Sequence, residues 1–319
     1  MKEASKIMFF KGLNRLFLKP IFGPPWPYSI QRAWFKLMAS VMLLPKNISI
    51  TPIEIASIPA EVVTPKHLST SANDEDNGLK KVILYLHGGA YCICAPKTHR
   101  SLTCNLAKKT QAIVFVPDYR LAPEHPFPAG IDDCLTSYQW LLSQGFNSHN
   151  ITLAGDSAGG GLVMATALKI RELNLPTPIA LVLISPWSDL TLSSLHSVSD
   201  KIDPLLRWSN LQAGVKAYLQ GQDPSLPLAS SSLADLSELP PMLIQVGSEE
   251  IILNDSKKLH QQAMKYQNDC RLSIYENGWH VFQLQAGLLD MSDKAIEEID
   301  QFISKCIQNS NAPNQMTKQ

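Results

Sequence analysis

The chain of 319 residues has no surplus of charge of either sign: 28 Lys and Arg stand against 28 Asp and Glu. Without a basic excess there is no electrostatic footprint for nucleic acid and no overall pull toward an anionic membrane. Long apolar runs are missing too. Near the N-terminus Ile7-Met8-Phe9-Phe10 and Leu16-Phe17-Leu18 are interrupted by Glu3, Lys6, Lys11, Arg15 and Lys19. Neither a bilayer span nor the apolar core of a signal peptide is present there, and a cytoplasmic protein is expected. Cysteine is sparse, with six residues at 92, 94, 104, 134, 270 and 306. A chain this long buries a sizeable core without disulfide staples, so reduced, buried thiols are expected. No His/Cys cluster completes a zinc site around Cys92-Ile93-Cys94. Repeats and low-complexity tracts are absent. With 45% hydrophobic and 18% charged residues, the chain reads as globular and not disordered.

What is present begins with a basic amphipathic N-terminus, which either lies on a membrane surface or packs as a lid over the protein's own pocket. The segment is expected to pack as the lid. Gly23-Pro24-Pro25-Trp26-Pro27 breaks the pattern, and a second amphipathic helix is expected from about Ser29 to Leu44, closed by Pro45. Pro52 and Pro59 favour an extended stretch, and Ser69 to Gly78 reads as a polar loop. A strand rhythm follows, with apolar runs at 81–86, 112–116, 151–154, 179–184, 242–246 and 271–275. Helical stretches at 102–109, 131–142, 161–173 and 255–266 separate most of them. Buried runs alternating with helices indicate a parallel sheet covered on both faces. Between Pro186 and Pro240 the rhythm lapses, around a helical piece at Trp208–Leu219, as an insertion on the sheet rim would. The polar tail from 309 to 319 is expected to fray.

The chain is organised around Gly155-Asp156-Ser157-Ala158-Gly159-Gly160, between a short strand and a helix. Strand, sharp turn and helix are the context in which a G-x-S-x-G match becomes a nucleophile elbow, with the serine held out at a helix N-terminus. An activated serine needs a base and a group that orients it, in the order Ser, acid, His on this architecture. Three histidines lie downstream of Ser157: His196 in the insertion, His260 inside a helix, and His280 in the loop after the last strand. His280 is where the base belongs. Ser248-Glu249-Glu250 follows the preceding strand directly, and Glu249 and Glu250 are the candidate acids; Asp255 is too far into the next helix. Ala158 and the loop His87-Gly88-Gly89-Ala90 supply N–H groups for an oxyanion.

His87-Gly88-Gly89-Ala90, the run Tyr119-Arg120-Leu121-Ala122-Pro123-Glu124-His125-Pro126-Phe127-Pro128-Ala129 and Gly155-Asp156-Ser157-Ala158-Gly159-Gly160 together resemble the hormone-sensitive-lipase family of α/β-hydrolase esterases. The resemblance covers roughly residues 80 to 305. It implies an α/β-hydrolase fold: an eight-stranded, mostly parallel sheet with helices on both faces and a helical cap. The expected division is 1–60 for N-terminal cap helices, 61–308 for the catalytic core with a cap insertion at about 188–230, and 309–319 for the tail. Ser157, Glu250 and His280 take the triad positions, and Gly89, Ala90 and Ala158 the oxyanion hole. The family frame selects Glu250 over Glu249, because an apolar residue follows the acid directly and an acidic one, here Asp255, stands five positions on.

The family loop usually reads His-Gly-Gly-Gly; here the third glycine is Ala90, whose N–H survives provided the backbone there does not need a positive φ. Glu250-Ile251 stands where Asp-Pro is commoner. Asp156 is expected to orient the loop, and Arg120 and Asp118 to form structural pairs. The implied activity is that of a serine carboxylesterase on short- to medium-chain acyl esters, through an acyl-enzyme. Its partner is a small-molecule ester, with no cofactor, metal or nucleic acid, and a homodimer is entertained. The alternatives are a non-catalytic small-molecule receptor on the same fold, similar to the plant gibberellin receptors, and a membrane-surface lipase.

Overall fold

A computed structural model describes residues 2–68, 80–194 and 198–311. The expected loop at Ser69–Gly78, His196 and residues 312–319 of the tail lie outside the described residues. Eight strands form one sheet in the order β1-β2-β4-β3-β5-β6-β7-β8. They are β1 Ile48–Ile55, β2 Ile58–Pro65, β3 Val82–Leu86, β4 Ile113–Pro117, β5 Ile151–Asp156, β6 Ala180–Ile184, β7 Met242–Gly247 and β8 Cys270–Tyr275. β1 and β2 make a hairpin that joins β4 antiparallel; every pairing from β4 to β8 is parallel. The sheet therefore begins at Ile48, inside the 1–60 segment expected to be cap. Pro52 lies on the edge strand β1, where a residue without an N–H is tolerated, and Pro59 stands at the start of β2.

The central strands are buried on both faces. Val82, Leu84 and Leu86 of β3 join one core with Ile131, Leu162 and Leu259; Ile83 and Tyr85 join the other with Leu102, Ile296 and Ile299. Side chains alternate across a strand, so a run without polar interruption is what two covered faces require. Helices α4 (Ala129–Ser143), α5 (Ala158–Glu172) and α7 (Leu253–Lys265) cover the first face. α3 (Arg100–Thr110) and α8 (Asp290–Asn311) cover the second. α8 runs through 309–311, so the start of the expected frayed tail is helical. Each fully buried Leu or Ile contributes about 1.5–3 kcal/mol relative to exposure.

Two further segments sit over the C-terminal ends of the strands. One holds α1 (Glu3–Leu13), a π-helical turn at Asn14–Leu18 and α2 (Tyr28–Ser40); the other, between β6 and β7, holds α6 (Trp208–Leu219). α2 stops at Ser40 and not at Leu44, because beyond it Val41, Leu43 and Leu44 are exposed and no core rewards a further helical turn. Among the described residues no helix is long and apolar enough to cross a membrane. All six cysteines are free and buried.

Candidate active site

β5 is buried along its whole length between β3 and β6, and it delivers Ser157 to the first turn of α5. Ser157 has φ 53° and ψ −122°, a conformation an L-residue adopts at a cost of about 1–3 kcal/mol. Its neighbours hold it there. The Ser157 N–H donates to the Ile184 carbonyl at 2.9 Å, and its own carbonyl accepts from the Trp187 N–H at 2.9 Å. A side chain at Gly159 would overlap the Leu86 carbonyl oxygen, so only glycine lets α5 start this close to β3. Ala158 opens the helix, where first-turn N–H groups have no acceptor within the helix.

His280 lies in the turn beyond β8 and is 3% exposed. Its Nδ1 is 2.9 Å from Glu250 Oε2. Glu250 Oε1 accepts from the Gly247 N–H at 2.6 Å and the Ser185 hydroxyl at 2.7 Å. The same hydroxyl accepts from the Val281 N–H at 3.2 Å, so Ser185 ties the acid loop to the histidine loop. Sequence reading missed Ser185; its only local signal is Ser-Pro-Trp directly after a buried strand. Glu249 points elsewhere, to the Lys11 ammonium at 2.7 Å. His260 is in α7, with Nδ1 3.5 Å from Cys270 Sγ. Glu250, and not Glu249 or Asp255, is therefore the carboxylate brought to His280.

Burial alone would depress the His280 pKa. The Glu250 hydrogen bond and charge, with smaller contributions from Asp203 and Asp156, outweigh it and raise the ring above its ordinary value. Asp203, in the segment between β6 and β7, is fully buried beside the pair. It accepts from the N–H groups of Leu205, Leu206 and Ile251. Its burial, opposed by His280 and reinforced by Glu250, pushes its carboxyl up to about 6.

The loop after β3 is pinned from below. Asp156 Oδ1 accepts from the Gly88 N–H at 3.0 Å and the Tyr85 hydroxyl at 2.7 Å, while its Oδ2 lies 3.2 Å from His99 Nε2. Burial pushes the Asp156 carboxyl up, but His99 and the Tyr85 hydrogen bond outweigh it and hold it below its ordinary value. Asp156 thus orients the loop. Burial, helped by His99, drives His87 down to about 3, so it is neutral and its Nδ1–H donates to the Gly88 carbonyl at 2.8 Å. Gly89 has φ 116°, and its carbonyl closes the turn by accepting from Cys92 and Ile93. The left-handed backbone continues into Ala90, at φ 52°, so the condition set for this substitution is not met. The loop keeps its shape at a cost of about 1–2 kcal/mol for an L-residue in this region. The Ala90 methyl faces Gly214 of α6, where an added Cβ would come within 3.2 Å of it. Arg120 forks onto Asp133 and not onto Asp118.

Ser157, His280 and Gly89 line a cavity of about 590 Å³ whose far wall includes Phe10, Phe17, Trp34, Phe35 and Met38. The N-terminal segment is strapped over it. Arg32 of α2 donates to the Cys92 and Ala122 carbonyls at 2.8 and 2.9 Å and forks onto Glu124; Lys19 reaches the Asp200 and Asp203 carbonyls. Among the described residues no group of three or more His, Cys, Asp or Glu side chains is placed to hold a metal ion.

Residues 83–284 match the profile of the alpha/beta hydrolase fold family. An acetyl-hydrolase of Streptomyces hygroscopicus is 38% identical over 77% of this chain and 82% of its own length. An esterase of Acinetobacter venetianus is 36% identical over 82% of this chain and 84% of its own. A solved esterase from the bacterial hormone-sensitive lipase family superposes with a TM-score of 0.86 at 34% identity, covering 96% of this chain and 100% of that one. With the sheet order, the strained serine and the buried histidine–carboxylate pair, these likenesses establish that the chain belongs to the hormone-sensitive-lipase family of α/β-hydrolases and is a carboxylic ester hydrolase.

Proposed function

We propose that the protein hydrolyses short- to medium-chain acyl esters through an acyl-enzyme formed on Ser157. The observation that carries this is the 2.9 Å contact between His280 and Glu250, with His280 and Ser157 lining one apolar cavity. Ser157 Oγ attacks the ester carbonyl and passes its proton to His280 Nε2, the ring nitrogen that Glu250 leaves free. Glu250 holds the imidazole in the tautomer with a proton on Nδ1 and stabilises the imidazolium once it forms. The tetrahedral oxyanion takes N–H groups from Gly89, Ala90 and Ala158; Gly88 is not available, since its N–H already binds Asp156. The imidazolium then protonates the departing alkoxide. A water, deprotonated by His280, attacks the acyl-serine and releases the carboxylic acid. α1 and α2 form the lid that excludes bulk water from these steps.

The test is fluorophosphonate labelling alongside a series of p-nitrophenyl esters of increasing chain length. Wild type should label at Ser157 and favour the shorter members. Ser157→Ala should lose both labelling and turnover, by about three or more powers of ten in rate. Unchanged hydrolysis by Ser157→Ala would place the chemistry elsewhere.

A further inference from the structure

The lid has an outer surface that ester hydrolysis in water does not explain. Among the described residues, sixteen large hydrophobic side chains are exposed, and ten of them lie between Met8 and Leu44. In α2 Ile30 and Leu37 are exposed two helical turns apart, and Val41, Leu43 and Leu44 continue the exposed apolar surface just beyond its end. Phe17, Val41 and Leu43 are 42%, 75% and 72% exposed, yet each also lines the cavity. The mouth of the cavity therefore opens through the middle of the apolar face. A patch of this kind around an entrance is a contact surface, because a free monomer does not leave it to water without cost.

The charge of the segment names the occupant. The whole chain is balanced, but residues 1–46 contain eight Lys and Arg and a single acidic residue, Glu3. Several of these cations are engaged in strapping the lid down, while Lys2, Arg15, Lys36 and Lys46 are exposed. α2 is the amphipathic helix of the segment; amphipathic helices with apolar residues on one side and cations beside them lie in the interface of anionic bilayers. Each cation adds attraction to a negative leaflet.

We infer that the N-terminal face docks on an anionic lipid bilayer, with the cavity mouth against the membrane, so that esters dissolved in the bilayer enter without crossing water. The second clause rests on the esterase reading of the site; the first does not. Phe9 and Leu16 would then sit among acyl chains, and the lid would serve as the gate through which lipid esters pass.

Binding is measured with the Ser157→Ala protein, which leaves the vesicles chemically intact, by co-sedimentation with phosphatidylcholine vesicles and with mixed phosphatidylcholine–phosphatidylglycerol vesicles. Binding to the anionic vesicles should be at least about tenfold tighter and should weaken with salt. Met8→Ser/Leu16→Ser/Leu37→Ser and Arg15→Glu/Lys36→Glu should each lower it by about tenfold or more. In the Ser157 background, the same variants should keep wild-type turnover of p-nitrophenyl acetate. They should lose about tenfold on p-nitrophenyl decanoate, a medium-chain ester that partitions into the bilayer, carried in the anionic vesicles. The inference is overturned if anionic vesicles are not bound, or if neither variant changes binding. It is also overturned if the patch proves to be a dimer face, dissolved by the apolar variant in sedimentation velocity while vesicles are ignored. If Ser157→Ala retained turnover of the soluble ester, the esterase site would fail while the docking result stood.

Discussion

Replacing Glu250 by Gln changes one atom of the site and leaves its volume intact. In the native arrangement the carboxylate accepts from the Gly247 N–H, the Ser185 hydroxyl and His280 Nδ1, so all its partners can donate. An amide in the same place must turn its NH2 toward one of them. Turned toward His280, it forces Nδ1 to accept and moves the ring proton to Nε2, the nitrogen that has to take the proton of Ser157. Turned the other way, it sets a donor against Gly247 N–H, inside a pocket where Glu250 is 2% exposed. Loss of the orienting carboxylate should lower kcat by about 10⁴, the scale known for this role in a serine protease. That corresponds to about 5 kcal/mol of transition-state stabilisation. Glu249→Gln is the control. It weakens the ion pair to Lys11, whose side chain is 10% exposed, but the amide oxygen can still accept from the ammonium. A stability loss of about 1 kcal/mol and a kcat within a few-fold of wild type are expected. The assay is kcat and KM on one short p-nitrophenyl ester, with circular dichroism melts for all three proteins. A Glu250→Gln enzyme with near-wild-type kcat, or a larger loss in the Glu249 variant, would refute the assignment.

Ser185→Ala should lower kcat by about tenfold, since a hydrogen bond to a charged group contributes about 1.5–3 kcal/mol; an unchanged kcat in a folded protein would reduce Ser185 to a packing residue. Because His280 is raised above its ordinary value and must be neutral to act as base, kcat/KM should fall with an acid limb above pH 6.5, read from a pH–rate profile on one short ester. In stability terms, protonated His280 contributes most below its unfolded pKa, and this contribution disappears as pH rises through the folded value; paired melts of wild type and His280→Gln across that range check it. Deleting residues 1–45 removes the Lys11, Lys19 and Arg32 straps and uncovers the cavity wall; the truncated protein should aggregate more readily and shift its chain-length profile. A monomer with the wild-type ester profile would show that the segment is not a lid.

The central strands were legible because burial on both faces leaves an uninterrupted apolar run, and the elbow because its requirements are local: a tight turn, small neighbours and a helix start. His280 was legible by elimination along the chain. What could not be read depends on contacts far apart in sequence. Ser185 acts because Ile184 pairs with Gln245 of β7, which brings the end of β6 beside the Glu250 loop. Glu249 is drawn away by Lys11, 238 residues distant. Asp203 is buried against the pair by a segment whose own pattern is irregular. The helix end at Ser40 is hidden in the sequence because periodicity continues to Leu44 while the core does not. The buried face of the final helix α8 is carried by Ala295, Ile296, Ile299 and Ile303 at helical spacing, among polar residues that hide the pattern.

The contact between Ala90 and Gly214 makes two modules size-matched. One side of it belongs to the glycine loop after β3 and the other to α6, and a Cβ added at Gly214 would stand 3.2 Å from the Ala90 methyl, a contact that one side would have to relieve by a small shift. A graft exchanging the segment between β6 and β7 with that of another esterase should fit best where the incoming helix presents a glycine here, because a side chain would crowd both the Ala90 methyl and the Trp187 ring. The loop after β3 and the helix that roofs it are thus coupled in size, and a larger residue on either side must be met by a shift on the other.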